Sequence, residues 1–255
     1  MGRMTLTSAC GPWLEGALGL LYPAVCQLCG EGRATAREGY VCEGCRNRPG
    51  ALRFIAAPYC DRCGLPFDGA VTGRFECGHC AGMELHFRFA RAAVVATDLI
   101  LQVVHAYKYH RAVWFEPFLA GLLVQAALPE LRREPWDWIV PVPLFPVKER
   151  EREFNQSARL AARLSEAAGI PLETRVVCRQ RPTQTQTQLS RSARQENMRG
   201  AFAPTGVVWR GGGRVVLVDD VLTTGATTSA CARALRMAGA AEVCVWTVAR
   251  GQWST

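Results

Sequence analysis

The sequence predicts an α/β fold: a mostly parallel sheet flanked by helices, with a small metal-stapled domain ahead of it. Three observations carry that expectation. From Arg91 onward, apolar β-like runs alternate with stretches of helical apolar spacing. One run, "GRVVLVDDV" (213–221), is almost continuously apolar and then delivers two adjacent carboxylates, as a strand buried on both faces can. Ahead of residue 89, eight cysteines fall into four Cys-x-x-Cys pairs. Three regions follow: a leader (1–22), the cysteine-pair domain (23–88) and the α/β domain (89–255).

The elements are expected in this order. Trp13 to Tyr22 reads as a short amphipathic helix packed on the protein. In the α/β domain, 90–96 ("ARAAVVA") is a strand. Residues 112–128 have helical apolar spacing, and Pro129 is expected to end that helix. Residues 136–144 ("WDWIVPVPL") form a buried strand that leaves through a Pro-rich loop. Residues 155–169 are an amphipathic helix stopped by Gly169. The carboxylate strand comes next, then a helix over 227–240 and a last strand over 242–249. Residues 203–212 are too irregular to assign.

The chain has 255 residues, comfortable for two domains, and 49% of them are hydrophobic. No run approaches the roughly 18 apolar residues that a membrane helix needs, so no transmembrane segment is expected. No basic start, apolar core and cleavage site of a signal peptide is present. A reducing, cytoplasmic setting is therefore expected, and there paired cysteines point to metal binding rather than disulfides. The remaining Cys10, Cys178, Cys231 and Cys244 are scattered and read as small apolar residues. The formal net charge of +8 is unevenly spread. Residues 1–88 carry nine Arg against eight acids, whereas 175–200 carry six Arg against one Glu.

Cys26 and Cys29 are followed by Cys42 and Cys45; Cys60 and Cys63 are followed by Cys77 and Cys80. Each pair offers two sulfurs to one metal, and two pairs complete a tetrahedral Cys₄ zinc site. Gly30 and Gly64 directly follow two of the knuckles, where a positive φ is expected. All-thiolate sites with no open position are folding sites, suited to a segment this poor in apolar residues. Two Zn²⁺ with eight thiolates add about −4, making this region acidic overall. Sequential and crossed pairings of the knuckles both fit the spacing.

In "VVLVDDVLTTGATT" (215–228), a buried strand ends in Asp219 and Asp220, and a Thr- and Gly-rich loop leads into a helix. Ligands of open α/β sheets bind at that end of the strands. A helix start beside Thr hydroxyls favours anions, and Gly225 lets a ligand approach the backbone. Carboxylates beside a phosphate cradle suit a sugar phosphate.

This stretch resembles the signature of type I phosphoribosyltransferases. By that resemblance the protein binds phosphoribosyl pyrophosphate (PRPP). Asp219 and Asp220 would face the ribose hydroxyls, and Thr223, Thr224, Gly225, Ala226 and Thr227 would hold the 5′-phosphate. With the cysteine-rich domain in front, nearly the whole chain resembles the ComF-type family, which joins a double zinc ribbon to a phosphoribosyltransferase fold and takes part in DNA uptake. Within it, "VPVPL" (140–144) resembles the pyrophosphate loop, bringing in Val142 and Pro143. "YKYH" (107–110) matches an early Lys-Tyr, with Lys108 toward the pyrophosphate. "RQRPTQTQTQLSRSARQENMRGAF" (179–202) matches the long mobile loop. Arg179 and Arg181 would clamp the leaving group, and Mg²⁺ would accompany PRPP. One departure stands out: Glu153 replaces the glycine that the family places before Phe-Asn-Gln, so a slightly different turn is expected there.

Two functions stay open at this level. One is pentosyl transfer from PRPP, for which no segment identifies the acceptor; Trp246 and Trp253 read as packed rather than base-stacking. The other is a PRPP- and single-stranded-DNA-binding accessory role in uptake, with Arg191, Arg194 and Arg199 tracking phosphates and with uptake proteins at the inner face of the membrane as partners. A PRPP-responsive regulator reading duplex DNA is disfavoured, because no helix-turn-helix pattern is evident.

Overall fold

The computed structural model describes residues 24–71, 73–182, 198, 200–207, 209 and 212–251. The leader therefore lies outside the described residues, as do Arg191, Arg194 and Arg199. In chain order the α/β part runs β1 (Ala90–Val95), α1 (Asp98–Tyr109), α2 (Glu116–Leu131), β2 (Trp138–Pro141), α3 (Pro146–Arg152), α4 (Gln156–Ala168), β3 (Val177–Arg179), β4 (Phe202–Pro204), β5 (Gly213–Leu222), α5 (Ala226–Met237) and β6 (Ala240–Arg250). Strands β1, β6, β5 and β2 form one sheet in that order, all parallel. β3 and β4 make a separate antiparallel pair bracketing the long Arg-rich segment.

The apolar character of β5 follows from burial on both faces. Val216 and Val218 join the core under α1, α2 and α4, together with Cys244 and Trp246 of β6. Val215 and Leu217 point the other way, into a core closed by α5 and the β3–β4 pair. Cys231 and Cys244 are fully buried and packed as small apolar side chains.

Helix α1 had no counterpart among the expected elements, yet its signals are in the sequence. The Thr97 side chain accepts from the Ile100 N–H, and Ile100, Val103, Val104 and Tyr107 bury one face at helical spacing. Helix α2 differs from expectation at both ends. Residues 113–115 form a 3₁₀ turn, and the helix runs through Pro129 to Leu131. In the last turn a proline costs little more than its own missing N–H, the Arg132 N–H still reaches the Leu128 carbonyl, and buried Leu131 anchors the end. Glu116, buried at the head of α2, accepts from Arg159 and Arg163 of α4 and so ties the two helices. Gly169 caps α4 at φ +69°, as expected.

The cysteine-rich region lies directly on this body. Cys26, Val41, Cys42 and Cys45 join the same core as α2. Residues 53–55 hydrogen-bond along the outer edge of β1, through Ile55 N–H to the Ala93 carbonyl and Val95 N–H to the Arg53 carbonyl, and so cover the sheet edge. Gly39 has φ +62°, and a Cβ there would lie 2.6 Å from the Phe118 nitrogen of α2. Gly50 shares the conformation (φ +76°) but faces open space. Gly50→Ala should cost only the left-handed penalty of about 1–2 kcal/mol, whereas Gly39→Ala should also prise the ribbon from α2. Thermal unfolding checks this: Gly39→Ala is expected to fall well below Gly50→Ala.

The turn at Glu153 corrects the sequence expectation. It keeps the glycine-type backbone, with Glu153 at φ +69° and ψ −3° closing α3. Its side chain pairs at 2.8 Å with Arg111, itself at φ +54°. Both side chains are largely exposed, so the pair offsets only part of the strain.

Candidate functional site

The eight paired cysteines come together as two groups in the sequential arrangement: Cys26, Cys29, Cys42 and Cys45, and Cys60, Cys63, Cys77 and Cys80. The Sγ–Sγ separations include 3.8 Å for Cys26–Cys45 and Cys29–Cys42, 3.8 Å for Cys60–Cys80 and 3.7 Å for Cys63–Cys77. A tetrahedron with Zn–S bonds of about 2.3 Å has edges of roughly 3.8 Å, so the thiols fit zinc. Backbone N–H groups point at the sulfurs, from Cys42 to Cys26 and from Cys77 to Cys60, which favours the thiolate state. Gly30 and Gly64 have positive φ, as the knuckles require. The two sites are structural Zn²⁺ sites.

A second feature lies at the carboxyl end of β5. A cavity of about 940 Å³ is lined by Lys108 of α1, Val142 after β2, Ser157 of α4, Arg179 of β3, and Asp219, Asp220, Thr223 and Thr227. It thus gathers most of the predicted ligand residues from four separate stretches of chain. Thr224, Gly225 and Ala226 sit just behind it, in the loop that turns into α5. Gly225 is left-handed (φ +80°), the Thr224 hydroxyl accepts from the Ala226 N–H, and the Thr228 hydroxyl donates to the Gly225 carbonyl. Arg181 is exposed, and neither it nor Pro143 is among the residues lining the cavity.

The two carboxylates differ in surroundings. Asp219 accepts from the Ser157 hydroxyl at 2.8 Å and from the Asp220 N–H at 3.0 Å. Asp220 pairs with Lys108 and accepts from the Val221 N–H. Burial, and then the charge of Asp220, push the Asp219 pKa up to about 7, against the pull of Lys108 and Ser157. Burial lowers the Arg179 guanidinium pKa, and the charge of Asp219 draws it back up. Lys148 and Arg152 of α3 add two further cations to the lining.

Sequence reasoning had not singled out Ser157, Lys148 or Arg152. The signal for Ser157 was present: Asn155 caps α4, accepting from the Ser157 and Ala158 N–H groups and donating to the Val142 carbonyl, which fixes Ser157 beside Asp219.

The raised pKa has a measurable consequence. The folded state prefers protonated Asp219, so this group's favourable contribution is present at about pH 4 and is lost as pH rises through 7. The thermal midpoint of wild type minus that of Asp219→Asn should therefore fall between pH 5 and pH 8. The subtraction cancels acid effects on the zinc sites. A pH-independent difference would contradict the burial argument.

The chain has recognisable relatives. Residues 17–81 match the double zinc ribbon domain family. Competence protein F of Haemophilus influenzae is 30% identical over 222 residues, 84% of this chain and 92% of that one. The chain belongs to the ComF family. The DNA utilization protein YhgH of Salmonella typhimurium is 33% identical over 234 residues, covering 91% of this chain and 99% of its own. A partial structural match, TM-score 0.32 and 29% identity, is to a glutamine PRPP amidotransferase from B. subtilis complexed with ADP and GMP; it covers 50% of this ComF chain and 24% of that protein. Among the described residues of the ComF chain, no helix is long and apolar enough to cross a membrane.

Proposed function

We propose that this ComF protein binds PRPP with Mg²⁺ at the carboxyl end of β5 and serves DNA uptake or nucleotide metabolism as a phosphoribosyltransferase. The observation that carries this reading is the convergence of Asp219 and Asp220, the Thr223–Thr227 loop at the head of α5, and four cations in one cavity. The carboxylates accept the ribose hydroxyls. The helix head and threonines take the 5′-phosphate. Lys108, Arg179 and the Val142–Pro143 loop face the pyrophosphate, with Arg181 closing on it. Lys108 neutralises Asp220; on PRPP binding it exchanges that partner for the pyrophosphate.

Loss of pyrophosphate builds positive charge on the anomeric carbon and negative charge on the leaving group. A cationic clamp in a site that excludes water stabilises the latter. The Mg²⁺ supplies further charge neutralisation of the leaving group when bound. At the mouth, Leu101, Tyr109 and Val147 are exposed apolar side chains, and they offer the acceptor a surface to pack on.

The names of the relatives point to competence and DNA utilisation. They favour a second reading, in which PRPP binding modulates single-stranded DNA handling by Arg191, Arg194 and Arg199 without turnover. Calorimetry separates the readings. Zinc-loaded wild type should bind PRPP with Mg²⁺, and Asp219→Asn/Asp220→Asn should bind on the order of 100-fold more weakly, two charge-assisted contacts being lost. Pyrophosphate release with a nucleobase makes it a transferase; a PRPP-dependent change in DNA affinity with no release makes it an accessory. Absence of PRPP binding by folded wild type sinks both.

A further inference from the structure

Transfer of a pentosyl group to nitrogen needs a proton acceptor, because a nucleophile bearing N–H must shed that proton as it bonds to the anomeric carbon. Among the described residues lining the cavity at the end of β5, the carboxylates are Asp219 and Asp220, and the single imidazole is that of His105. Both carboxylates are engaged: Asp219 accepts from the Ser157 hydroxyl and Asp220 pairs with Lys108. The ribose hydroxyls then occupy them. Imidazole is the side chain most often used as a general base near neutrality.

Topology puts His105 on the side from which an acceptor enters. Displacement at an anomeric carbon with inversion brings the nucleophile to the ring face opposite the leaving group. β5 lies between β2, which the Val142–Pro143 loop follows, and β6, with β1 beyond it. The pyrophosphate side is thus the β2 side, and the open side is that of β6 and β1. Helix α1 starts from its Thr97 cap just after β1, and near its other end Lys108 reaches Asp220 of β5. Neighbouring strands lie about 4.8 Å apart, so α1 crosses about 10 Å of the carboxyl edge of the sheet. His105 comes three residues before Lys108 on the same helix face, about 4.5 Å back along the axis toward β6 and β1.

The imidazole is accessible there. His105 is exposed, and its ring lies 4.9 Å from that of Tyr109, over which the Arg152 guanidinium sits at 5.0 Å. Among the described residues, neither of its nitrogens makes a hydrogen bond or an ion pair. Leu101, one turn earlier, is exposed and lines the same cavity. A flat imidazole beside an aliphatic side chain suits a planar ring.

We propose that His105 is the general base for the acceptor, a planar ring with a nucleophilic N–H that enters from the β6 side along Leu101, a role that rests on PRPP occupying this cavity. The bond from nitrogen to the anomeric carbon forms as the bond from that carbon to the pyrophosphate oxygen breaks. The electron pair of the broken bond leaves on pyrophosphate, and the proton of the attacking nitrogen passes to His105 and on to solvent.

The test is pyrophosphate release by the zinc-loaded full chain from PRPP with Mg²⁺, with adenine, guanine, hypoxanthine, xanthine, uracil and orotate in turn, beside calorimetry of PRPP alone. At least one ring should give release. With that ring, His105→Gln keeps much of the size and polarity without the basicity, and should slow the single-turnover rate about 100-fold or more. Its PRPP affinity should match wild type. Exogenous imidazole should restore part of the rate in His105→Ala. His110→Gln should behave as wild type, because the His110 ring lies 5.3 Å from that of His105 but does not line the cavity. Wild type that binds PRPP and releases no pyrophosphate with any of the six overturns the role of His105 and leaves the PRPP site standing. Wild type that fails to bind PRPP removes the site itself, and the role with it. An unchanged single-turnover rate in His105→Gln, or a loss matched by weaker PRPP binding, also overturns the proposal.

Discussion

Stripping zinc from the folded protein, or changing Cys60→Ser, is expected to unfold the second ribbon and loosen the loop that follows β5. Structural zinc contributes an apparent ~10–16 kcal/mol to small cysteine-rich folds, as much as a whole domain is usually stable by. Here the ribbons are not independent appendages. The first shares its core with α2 through Cys26, Val41, Cys42 and Cys45. The second is bonded to β1 by the Ala90 N–H to the Arg62 carbonyl, and Gly64 lies so close to β1 that a Cβ would meet the Ala90 carbonyl at 2.7 Å. Its last knuckle leads into residues 84–87, where the His86 N–H bonds the Ser229 hydroxyl of α5. The two sites should therefore fail differently. Cys42→Ser should lower the thermal midpoint by more than about 10 °C through the shared core, taking roughly 2–4 °C per kcal/mol for a chain of this size. Cys60→Ser should in addition speed hydrogen exchange at the amides of 222–227. Thermal unfolding and peptide-resolved exchange read the two effects. A chelated protein within a few degrees of the zinc-loaded midpoint would show that neither cluster staples the fold.

How far the sequence announced this structure depends on how local each signal is. The carboxylate strand was legible because its burial on both faces writes a continuous apolar run, and because Asp219, Asp220 and the loop after them are contiguous. The cysteines were legible by spacing, but spacing alone left the pairing open; sequential pairing follows from where the chain carries the knuckles. Helix α1 was legible in principle through Thr97 and the Ile100–Tyr107 face. Helix α3, "PVKERER", buries none of its residues and so writes no apolar periodicity. Strands β3 and β4 are three residues each, paired across a long insertion, and such non-local pairing leaves no trace in a local window. Pro129 was a genuine stop signal overridden by the burial of Leu131. Ser157 belongs to the site only because α4 is folded against β5, and that is tertiary information, whereas Arg179 was reached through the family resemblance of its segment rather than through a local pattern.

Arg250 is the residue whose role the sequence hides most fully, and Arg250→Met should be among the most damaging single substitutions outside the zinc ligands. It closes β6 and is 2% exposed, although arginine is seldom buried without partners. Its Nε–H donates to the Cys63 carbonyl at 3.1 Å and its Nη2–H to the Cys63 sulfur at 3.4 Å. Its Nη1 donates to the carbonyls of Leu222, Thr223 and Gly251 at 3.1, 2.7 and 2.8 Å. One guanidinium thus bonds the Cys60–Cys63 knuckle of the second zinc site on one side and the entry to the Thr223–Thr227 loop on the other. A Cys₄ zinc site carries a net charge of about −2, so the buried cation also has its counter-charge at hand. Methionine fills much of the volume and satisfies none of the acceptors. Breaking a buried charged contact of this kind typically costs about 3–5 kcal/mol, which corresponds to roughly 10 °C in midpoint for a chain of this size. Arg250→Lys keeps the charge but has a single nitrogen that cannot span both sides, so it should recover part of the midpoint and little of the loop order. Two further readouts separate this bridge from mere packing: exchange at the 222–225 amides and the rate at which a chromogenic chelator takes the second zinc should rise together in Arg250→Met. Wild-type exchange and zinc release in a destabilised Arg250→Met would mean that the guanidinium fills space between ribbon and loop without joining them.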